Sequence, residues 1–312
     1  MAPTPTKASD PDQRLLTRVR DCHGAVRRAA LHLTRAERRR IDALVDRGDL
    51  ELHQHGTLAL PGCSRLVLLA RIHGGLIAGQ HAAAHHRLPL PSRLGPITIV
   101  VPHGTKTRLL GREHLRSRRG LVLPEPTAYP VLPLAEAVAD LLQWDPDDEL
   151  AIVVADAPLK QGTITLPELA ALLAPSRFDT GRRRLAMAST RSRSPIETLA
   201  RLRLRAAGLE VDEGVVIRGV GEVDLVVNGW LIVELDGFDY HSDMLSRTTP
   251  AAAMWRVLGS PSSVSPGGRC GQEDSWQRSS PSSPLIRTRR ASSPEGLGLS
   301  ASLVDDRADS RR

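Results

Sequence analysis

The chain contains little cysteine, and its cysteines are not spaced as a cross-linking or metal-binding framework. Its 312 residues include three cysteines, Cys22, Cys63 and Cys270. An odd number of widely separated cysteines without a Cys-x-x-Cys pair argues against both a disulfide framework and a zinc module. Free cysteines fit a reducing compartment, and we therefore expect a cytoplasmic protein.

Long apolar runs are also missing. No stretch approaches the roughly 20 apolar residues that a membrane-spanning helix needs. The first residues, Met-Ala-Pro-Thr-Pro-Thr-Lys, lack the apolar segment of a signal peptide. The sequence thus predicts no membrane partner, and its length suggests about two domains.

Lysine is scarce as well. Of the 42 basic residues only Lys7, Lys106 and Lys160 are lysine, a bias typical of GC-rich codon usage, so abundant arginine alone is weak evidence for nucleic-acid binding. The net charge of +7 and the isoelectric point near 10.1 still favour a polyanionic partner. We expect that partner to be DNA.

Two short apolar runs, 222–227 and 230–235, carry the most informative pattern. Apolar residues alternate along both runs, which predicts two strands. If both apolar sets share one face, Asp224 lies opposite Glu234 across a three-residue loop around Gly229. A two-residue Asn-Gly turn would send the two carboxylates to opposite faces, so the hydrophobic pattern favours the first register. Adjacent carboxylates repel unless a cation such as Mg²⁺ lies between them.

A longer motif surrounds these strands and resembles a nuclease family. It comprises Ser194-Pro195-Ile196-Glu197, Arg201, Gly208, Val223-Asp224-Leu225, Val233-Glu234-Leu235-Asp236-Gly237 and Tyr240-His241. This motif resembles the endonucleases related to very-short-patch repair enzymes, a branch of the PD-(D/E)xK superfamily. The resemblance implies that Glu197, Asp224 and Glu234 bind metal, and that His241 is the base or a partner of the metal site.

One position departs from the family pattern. The superfamily lysine two residues after the second strand acid is Asp236 here, so activation of the nucleophile would fall to His241. Asp236 itself is either an extra metal ligand or a turn-starting residue before Gly237.

The three metal-ligand candidates also have ordinary structural interpretations. Ser194 and Pro195 predict a helix start, and Glu197 would then be a first-turn acid favoured by the helix dipole. For Asp224 and Glu234 the ordinary interpretation is weaker, because acids at apolar strand ends are costly unless they are paired or liganded.

The N-terminal part predicts a DNA-binding module. After an unstructured tail over 1–12, we expect a winged helix-turn-helix over 13–62, with a short helix from 24 to 31 and a third helix capped by Thr34. A hairpin over 50–60 would form the wing. The third helix would present to DNA three outward arginines, Arg35, Arg38 and Arg39. The alternative is a solvated helix face in an arginine-rich chain.

The region from about 14 to 175 resembles AbiEi-like antitoxins. The features that carry this resemblance are a helix over 80–86, a strand over 97–101 that ends at Pro102, and a helix over 134–144. We therefore expect an antitoxin-like α/β region over 63–181. A basic linker over 182–193 would connect it to a nuclease-like core over 194–246.

The composition of residues 247–312 predicts a low-complexity tail. Ser, Pro and Gly dominate 259–284, where the resembling family has a further helix and a closing strand. Residues 264–271 can be encoded so that a shifted frame reads Phe-Ser-Trp-Arg-Gln-Val-Trp, an aromatic strand of the kind the family has there. Our hypothesis is a frameshift near Ser246; the competing interpretation is a natural disordered tail.

Together these patterns predict an α+β protein with an N-terminal winged helix and a truncated PD-(D/E)xK-like core. The expected function is Mg²⁺-dependent endonucleolytic cleavage of DNA. The alternative is a DNA-binding antitoxin or transcriptional regulator with an inactive nuclease-like domain. The missing lysine and the missing closing segment both favour the alternative.

Overall fold

The computed structural model describes residues 10–235 and the backbone of 255–259. They lie in one compact unit. Helices and small sheets give an α+β architecture, as expected. In this part of the chain, no helix is long and apolar enough to cross a membrane.

The N-terminal module combines helices with a small antiparallel sheet. Its elements in chain order are α1 (Pro11–Asp21), β1 (Ala25–Arg27), a 3-10 helix (Arg28–Leu31), α2 (Arg35–Asp46), β2 (Glu51–His53) and β3 (Thr57–Ala59). The strand order is β1-β3-β2, and Leu15, Val19, Ile41, Leu44 and Leu58 form its core. Thr34 and Glu37 make a reciprocal capping box that starts α2.

Two boundaries in this module differ from the expectation. Pro11 already begins α1, with Asp10 as its N-cap, so the last two residues of the expected tail are helical. The expected helix from 24 to 31 is wrong in its first half, because Ala25–Arg27 pair with β3. Ala25 and Val26 are fully buried there, and this non-local pairing overrides the local helical pattern.

The middle region is a second α/β layer. It contains α3 (Arg65–His73), β4 (Leu76–Ala78), α4 (Gly79–His85), β5 (Thr98–Pro102) and β6 (His114–Arg118), followed by α5 (Leu134–Trp144), α6 (Asp148–Lys160), α7 (Leu166–Leu172) and α8 (Asp179–Leu185). β4 pairs antiparallel with β5, and β5 pairs parallel with β6. The strand and the two helices predicted around 80–144 all form, within one or two residues of their expected bounds.

The segment that we expected to be a basic linker is largely part of the fold. Its first residues belong to α8, and Arg184 is buried. The Arg184 guanidinium donates to Asp148 Oδ1 (2.8 Å) and to the backbone oxygens of Leu142 (2.8 Å) and Asp145 (2.8 Å). A buried arginine must satisfy its donors in this way, so these contacts fix α8 against α5 and α6.

The C-terminal part is one helix followed by a meander of strands. α9 (Pro195–Ala206) leads into β7 (Val211–Ile217), β8 (Gly221–Val227) and β9 (Leu231–Leu235). Leu225 lies opposite Val233 and Val227 opposite Leu231, which is the register that the apolar alternation predicts. The three-residue loop between them begins with two left-handed residues, Asn228 (φ 51°) and Gly229 (φ 71°).

A further strand lies inside the segment that we expected to be an unstructured tail. β10 (Trp255–Gly259) pairs antiparallel with β9, so that the strand order is β10-β9-β8-β7. Without β10, β9 would be an edge strand with unpaired backbone groups, and such an edge pairs readily with an extended segment. The rest of the expected tail, and residues 236–246 of the expected nuclease-like core, lie outside the described residues.

A buried ion-pair network joins α6, α9 and β7. Arg201 is completely buried. Its guanidinium lies 2.6 Å from Asp156 Oδ2 and 3.1 Å from Glu213 Oε2. The second oxygen of Asp156 accepts the Ser189 backbone N–H at 2.7 Å. Burial raises the pKa of Asp156 to about 6 although Arg201 opposes the shift, so the arginine offsets only part of the desolvation.

We expect Arg201→Ala to lower the free energy of unfolding by about 3–5 kcal/mol, because it removes the buried cation from Asp156 and leaves buried Glu213 with only the half-exposed Arg205, 3.4 Å away. Urea denaturation at neutral pH measures the change. The control is Arg203→Ala on the same helix, where an exposed pair with Glu149 is worth less than about 1 kcal/mol. Equal losses in the two variants would contradict a central role for Arg201.

Candidate active site

Three carboxylates converge where α9 meets the strands. Asp224 lies on β8 and Glu234 on β9. Asp224 Oδ2 accepts the backbone N–H of Leu235 at 2.7 Å, which holds the Asp224 side chain against the adjoining part of β9. Glu197, in the first turn of α9, is near enough to Asp224 to feel its charge. The carboxylates that sequence reasoning selected in the described region therefore form one cluster.

The start of α9 fixes the Glu197 side chain. The Ser194 hydroxyl caps the helix by accepting the Glu197 N–H (3.3 Å), and donates to Glu197 Oε1 (3.0 Å). The backbone N–H of Arg193 donates to Glu197 Oε2 (2.8 Å). Burial raises the pKa of Glu197 above its ordinary value against these hydrogen bonds, and the Asp224 charge raises it further. Glu197 is thus both a capping acid and a member of the carboxylate cluster.

The electrostatic cost of the cluster is greatest at Glu234. Burial, followed by repulsion from and hydrogen bonding with Asp224, raises the pKa of Glu234 to about 6. Two neighbouring carboxylates bind a proton more tightly than either would alone. The pair is therefore poised to accept a positive group at neutral pH.

Arg193 is that positive group in this structure. Its guanidinium nitrogens lie 2.6 Å from Asp224 Oδ1, 3.6 Å from Glu222 Oε2 and 3.9 Å from Glu197 Oε2. Sequence reasoning missed this residue because its residue type does not distinguish it from the other arginines of the basic segment. Its position directly before the Ser-Pro helix start was the available signal.

The carboxylate groups of the cluster are suitable ligands for a divalent cation, but their oxygens are not free to bind one in this structure. Carboxylate oxygens are the ligands that Mg²⁺ prefers, and Glu197, Asp224 and Glu234 would hold it. Both oxygens of Asp224 and of Glu197 are already engaged within the protein. In the described part of the chain, no three His, Cys, Asp or Glu side chains are arranged as a metal site. Metal binding therefore requires Arg193 to leave Asp224.

Two further expected site residues, Asp236 and His241, lie outside the described residues. The expected DNA-contacting arginines are within them. Arg35, Arg38 and Arg39 are exposed at the start of α2, and none of their side chains is hydrogen-bonded or ion-paired to another described residue. The neighbouring Arg40 instead pairs with Asp12 on α1 (3.1 Å).

Comparisons with known proteins add little. The chain matches no family model, and no curated protein matches it. Among solved structures, the RV2827C protein from Mycobacterium tuberculosis is similar, with 18% sequence identity and a TM-score of 0.37. That similarity covers 62% of this chain and 80% of that chain. A similarity this low supports no inference about fold or activity.

We expect Glu234→Gln to weaken the pH dependence of stability. A raised pKa means that the folded state binds the proton more tightly than the unfolded state. The resulting stabilisation of the folded state is complete when the pH is below 4.5, the ordinary pKa of a glutamate. It is lost as the pH rises through about 6, the pKa of Glu234 in the folded state. The variant should therefore be more stable than the parent above about pH 6. Urea denaturation in EDTA between about pH 4 and 8 measures the difference, since carboxylates with raised pKa values titrate in roughly that range.

The matched control is Glu210→Gln, an exposed carboxyl next to β7 and outside the cluster. Its stability profile should run parallel to that of the parent. A Glu234→Gln profile that also runs parallel to the parent would contradict carboxylate repulsion at β8 and β9.

Proposed function

We propose that the protein is a Mg²⁺-dependent endonuclease that cleaves phosphodiester bonds in DNA. The observation that carries the proposal is the register of β8 and β9, which brings Asp224 next to Glu234, with Glu197 facing them from α9. Two adjoining acids at strand ends, with a third acid near one of them, are costly for folding alone. A function that needs their charge accounts for that cost.

Each residue has a defined part in this proposal. Asp224 and Glu234 would hold the metal, and Glu197 would support it from the helix. A Mg²⁺ ion bound there would supply a Lewis acid for the phosphoryl oxygen and would favour deprotonation of the attacking water. His241 would take the proton from the attacking water, a role that the family resemblance gives it. Asp236 is either an extra ligand or a turn-starting residue before Gly237.

Arg193 gives the proposal a feature that the sequence did not suggest. The family lysine is replaced by Asp236, and the chain therefore lacks the usual positive charge beside the second strand acid. The Arg193 guanidinium lies within 2.6 Å of Asp224, so it supplies a positive charge to the same cluster. Released from Asp224, it would be available to a substrate phosphate as a bidentate donor.

We expect Asp224→Asn to abolish Mg²⁺-dependent nicking of supercoiled plasmid, because it removes a charged ligand while keeping the side-chain shape. Agarose-gel conversion of supercoiled to open-circular DNA measures the activity. The control is Asp212→Asn, an exposed acid on neighbouring β7, which should nick like the parent. Nicking that persists in Asp224→Asn, or in excess EDTA, would contradict the proposal.

A second candidate function is a DNA-binding regulator with an inactive nuclease-like core. The element order from α1 to β3 and the strand order β1-β3-β2 support a winged helix in which α2 is the recognition helix. Arg35, Arg38 and Arg39 would meet phosphates or bases from its exposed face. The Arg193 ion pair also supports this candidate, because it neutralises Asp224 without a metal.

We expect the triple variant Arg35→Ala, Arg38→Ala, Arg39→Ala to weaken duplex DNA binding. The slope of log affinity against log salt should also become shallower, by about one for each phosphate that the variant no longer neutralises. Fluorescence anisotropy at several salt concentrations measures both. The charge-matched control replaces Arg108, Arg119 and Arg218, which are also exposed. Equal slopes in the two triple variants would assign α2 to a solvated face.

A further inference from the structure

Glu222 is an acid beside the carboxylate cluster that the proposed function leaves unused. It lies on β8 two residues before Asp224, so both side chains are on the same face of the sheet. A Cβ built on Gly214 of the neighbouring β7 would lie 2.8 Å from Glu222 Oε1, so the glycine leaves room for this carboxylate. The other oxygen, Oε2, lies 3.6 Å from Arg193 Nη1. Glu222 is thus held beside Arg193 but outside the set of proposed metal ligands.

The Arg193 guanidinium therefore has two strand acids within reach. Its Nη2 atom donates to Asp224 Oδ1 at 2.6 Å, whereas its contact with Glu222, at 3.6 Å, is longer than a hydrogen bond. The Asp224 side chain is 13% exposed and the Glu222 side chain 43% exposed. Charge interactions weaken with exposure to water, so Asp224 is the preferred partner. Glu222 is the partner that remains when Asp224 is engaged elsewhere.

The backbone at Arg193 is fixed, so an exchange of partners involves its side chain alone. The Arg193 backbone N–H donates to Glu197 Oε2 at 2.8 Å, and the hydroxyl of the preceding Ser192 donates to a buried carboxylate of β7 at 2.7 Å. The Arg193 side chain, in contrast, is 37% exposed, and exposed side chains change rotamer on the picosecond-to-nanosecond timescale. The guanidinium can therefore turn from Asp224 towards Glu222 while the backbone keeps its position.

We propose that Arg193 is the competing internal cation of the carboxylate cluster, and that Glu222 is a positioning residue that receives Arg193 when Asp224 binds a divalent cation. This inference rests on the proposed function, because it concerns the same carboxylates. Arg193 competes with the metal ion for Asp224 Oδ1. Glu222 lowers the cost of that exchange by keeping the released guanidinium in an ion pair. The guanidinium then remains beside the cluster as a donor for a substrate phosphate.

Isothermal titration calorimetry of Mn²⁺, a stand-in for Mg²⁺, into the full-length chain without DNA tests the competition. Arg193→Gln should bind Mn²⁺ about tenfold or more tightly than the parent, because the ion no longer displaces a cation from Asp224. The matched control is Arg191→Gln, which removes the same charge from the same segment at a residue that contacts the Glu213 carbonyl. It should bind Mn²⁺ within about twofold of the parent, since salt screens exposed charges outside the cluster.

Glu222→Gln tests the receiving residue in the same titration. It should weaken Mn²⁺ binding by about two- to fivefold, the range expected for an exposed ion pair. The double variant Arg193→Gln, Glu222→Gln should bind Mn²⁺ as tightly as Arg193→Gln alone, because Glu222 acts only through the arginine. An equal loss in both backgrounds would show that Glu222 attracts the metal ion directly, and would overturn its role as a positioning residue.

Asp224→Asn assigns the measured binding to the cluster and should abolish it, because it removes the charged ligand. Mn²⁺ binding that Asp224→Asn abolishes but Arg193→Gln leaves unchanged or weakens would overturn the inference and leave the proposed function standing. The absence of Asp224-dependent Mn²⁺ binding from both the parent and Arg193→Gln would overturn the proposed function, and the inference with it.

Discussion

The Arg201 network is the constraint on which the C-terminal half of the described structure depends. One guanidinium, with no exposure to solvent, faces Asp156 from α6 and Glu213 from β7. Thr198 donates to the same Asp156 oxygen at 2.8 Å. Buried charges tolerate little displacement because each shift leaves a polar group unsatisfied. The position of α9 relative to α6 and β7 is therefore set by hydrogen-bond geometry as well as by apolar packing.

The Arg201 network also determines the position of the carboxylate cluster. Arg201 lies one turn after Glu197 on α9, so the residue that fixes the helix also fixes the acid at its start. Arg193 then balances the cluster from the segment before the helix. The two arginines differ in exposure: Arg201 is sealed inside the fold, whereas the Arg193 side chain is 37% exposed. Only the second can exchange its partners without unfolding the surrounding structure.

Local patterns in the sequence were sufficient for the strands and helix that carry the cluster. The alternation around Asp224 and Glu234 predicted the β8 and β9 register, and Ser194-Pro195 predicted the start of α9. Each of these signals acts over a few residues. The α+β class followed from the same kind of evidence.

What the sequence did not reveal depends on contacts between distant segments. The sequence does not show whether an arginine is solvated or buried. Arg184 was therefore not distinguished from Arg38 or Arg39, and Arg201 was noted as part of a motif without its burial being predicted. The strand Ala25–Arg27 forms because β3 lies beside it, and the paired residues are 30 to 34 positions apart in the sequence.

The short segment between α8 and α9 limits which insertions and deletions this protein can accept during evolution. Connections on a protein surface ordinarily accept insertions and deletions. Here Ser189 donates its N–H to Asp156, Ser192 donates its hydroxyl to Glu213 at 2.7 Å, and Arg193 reaches Asp224. A length change of one residue between Ser189 and Arg193 would displace at least one of these contacts. Among homologous chains, this segment should therefore vary in composition at its exposed positions while keeping a constant length.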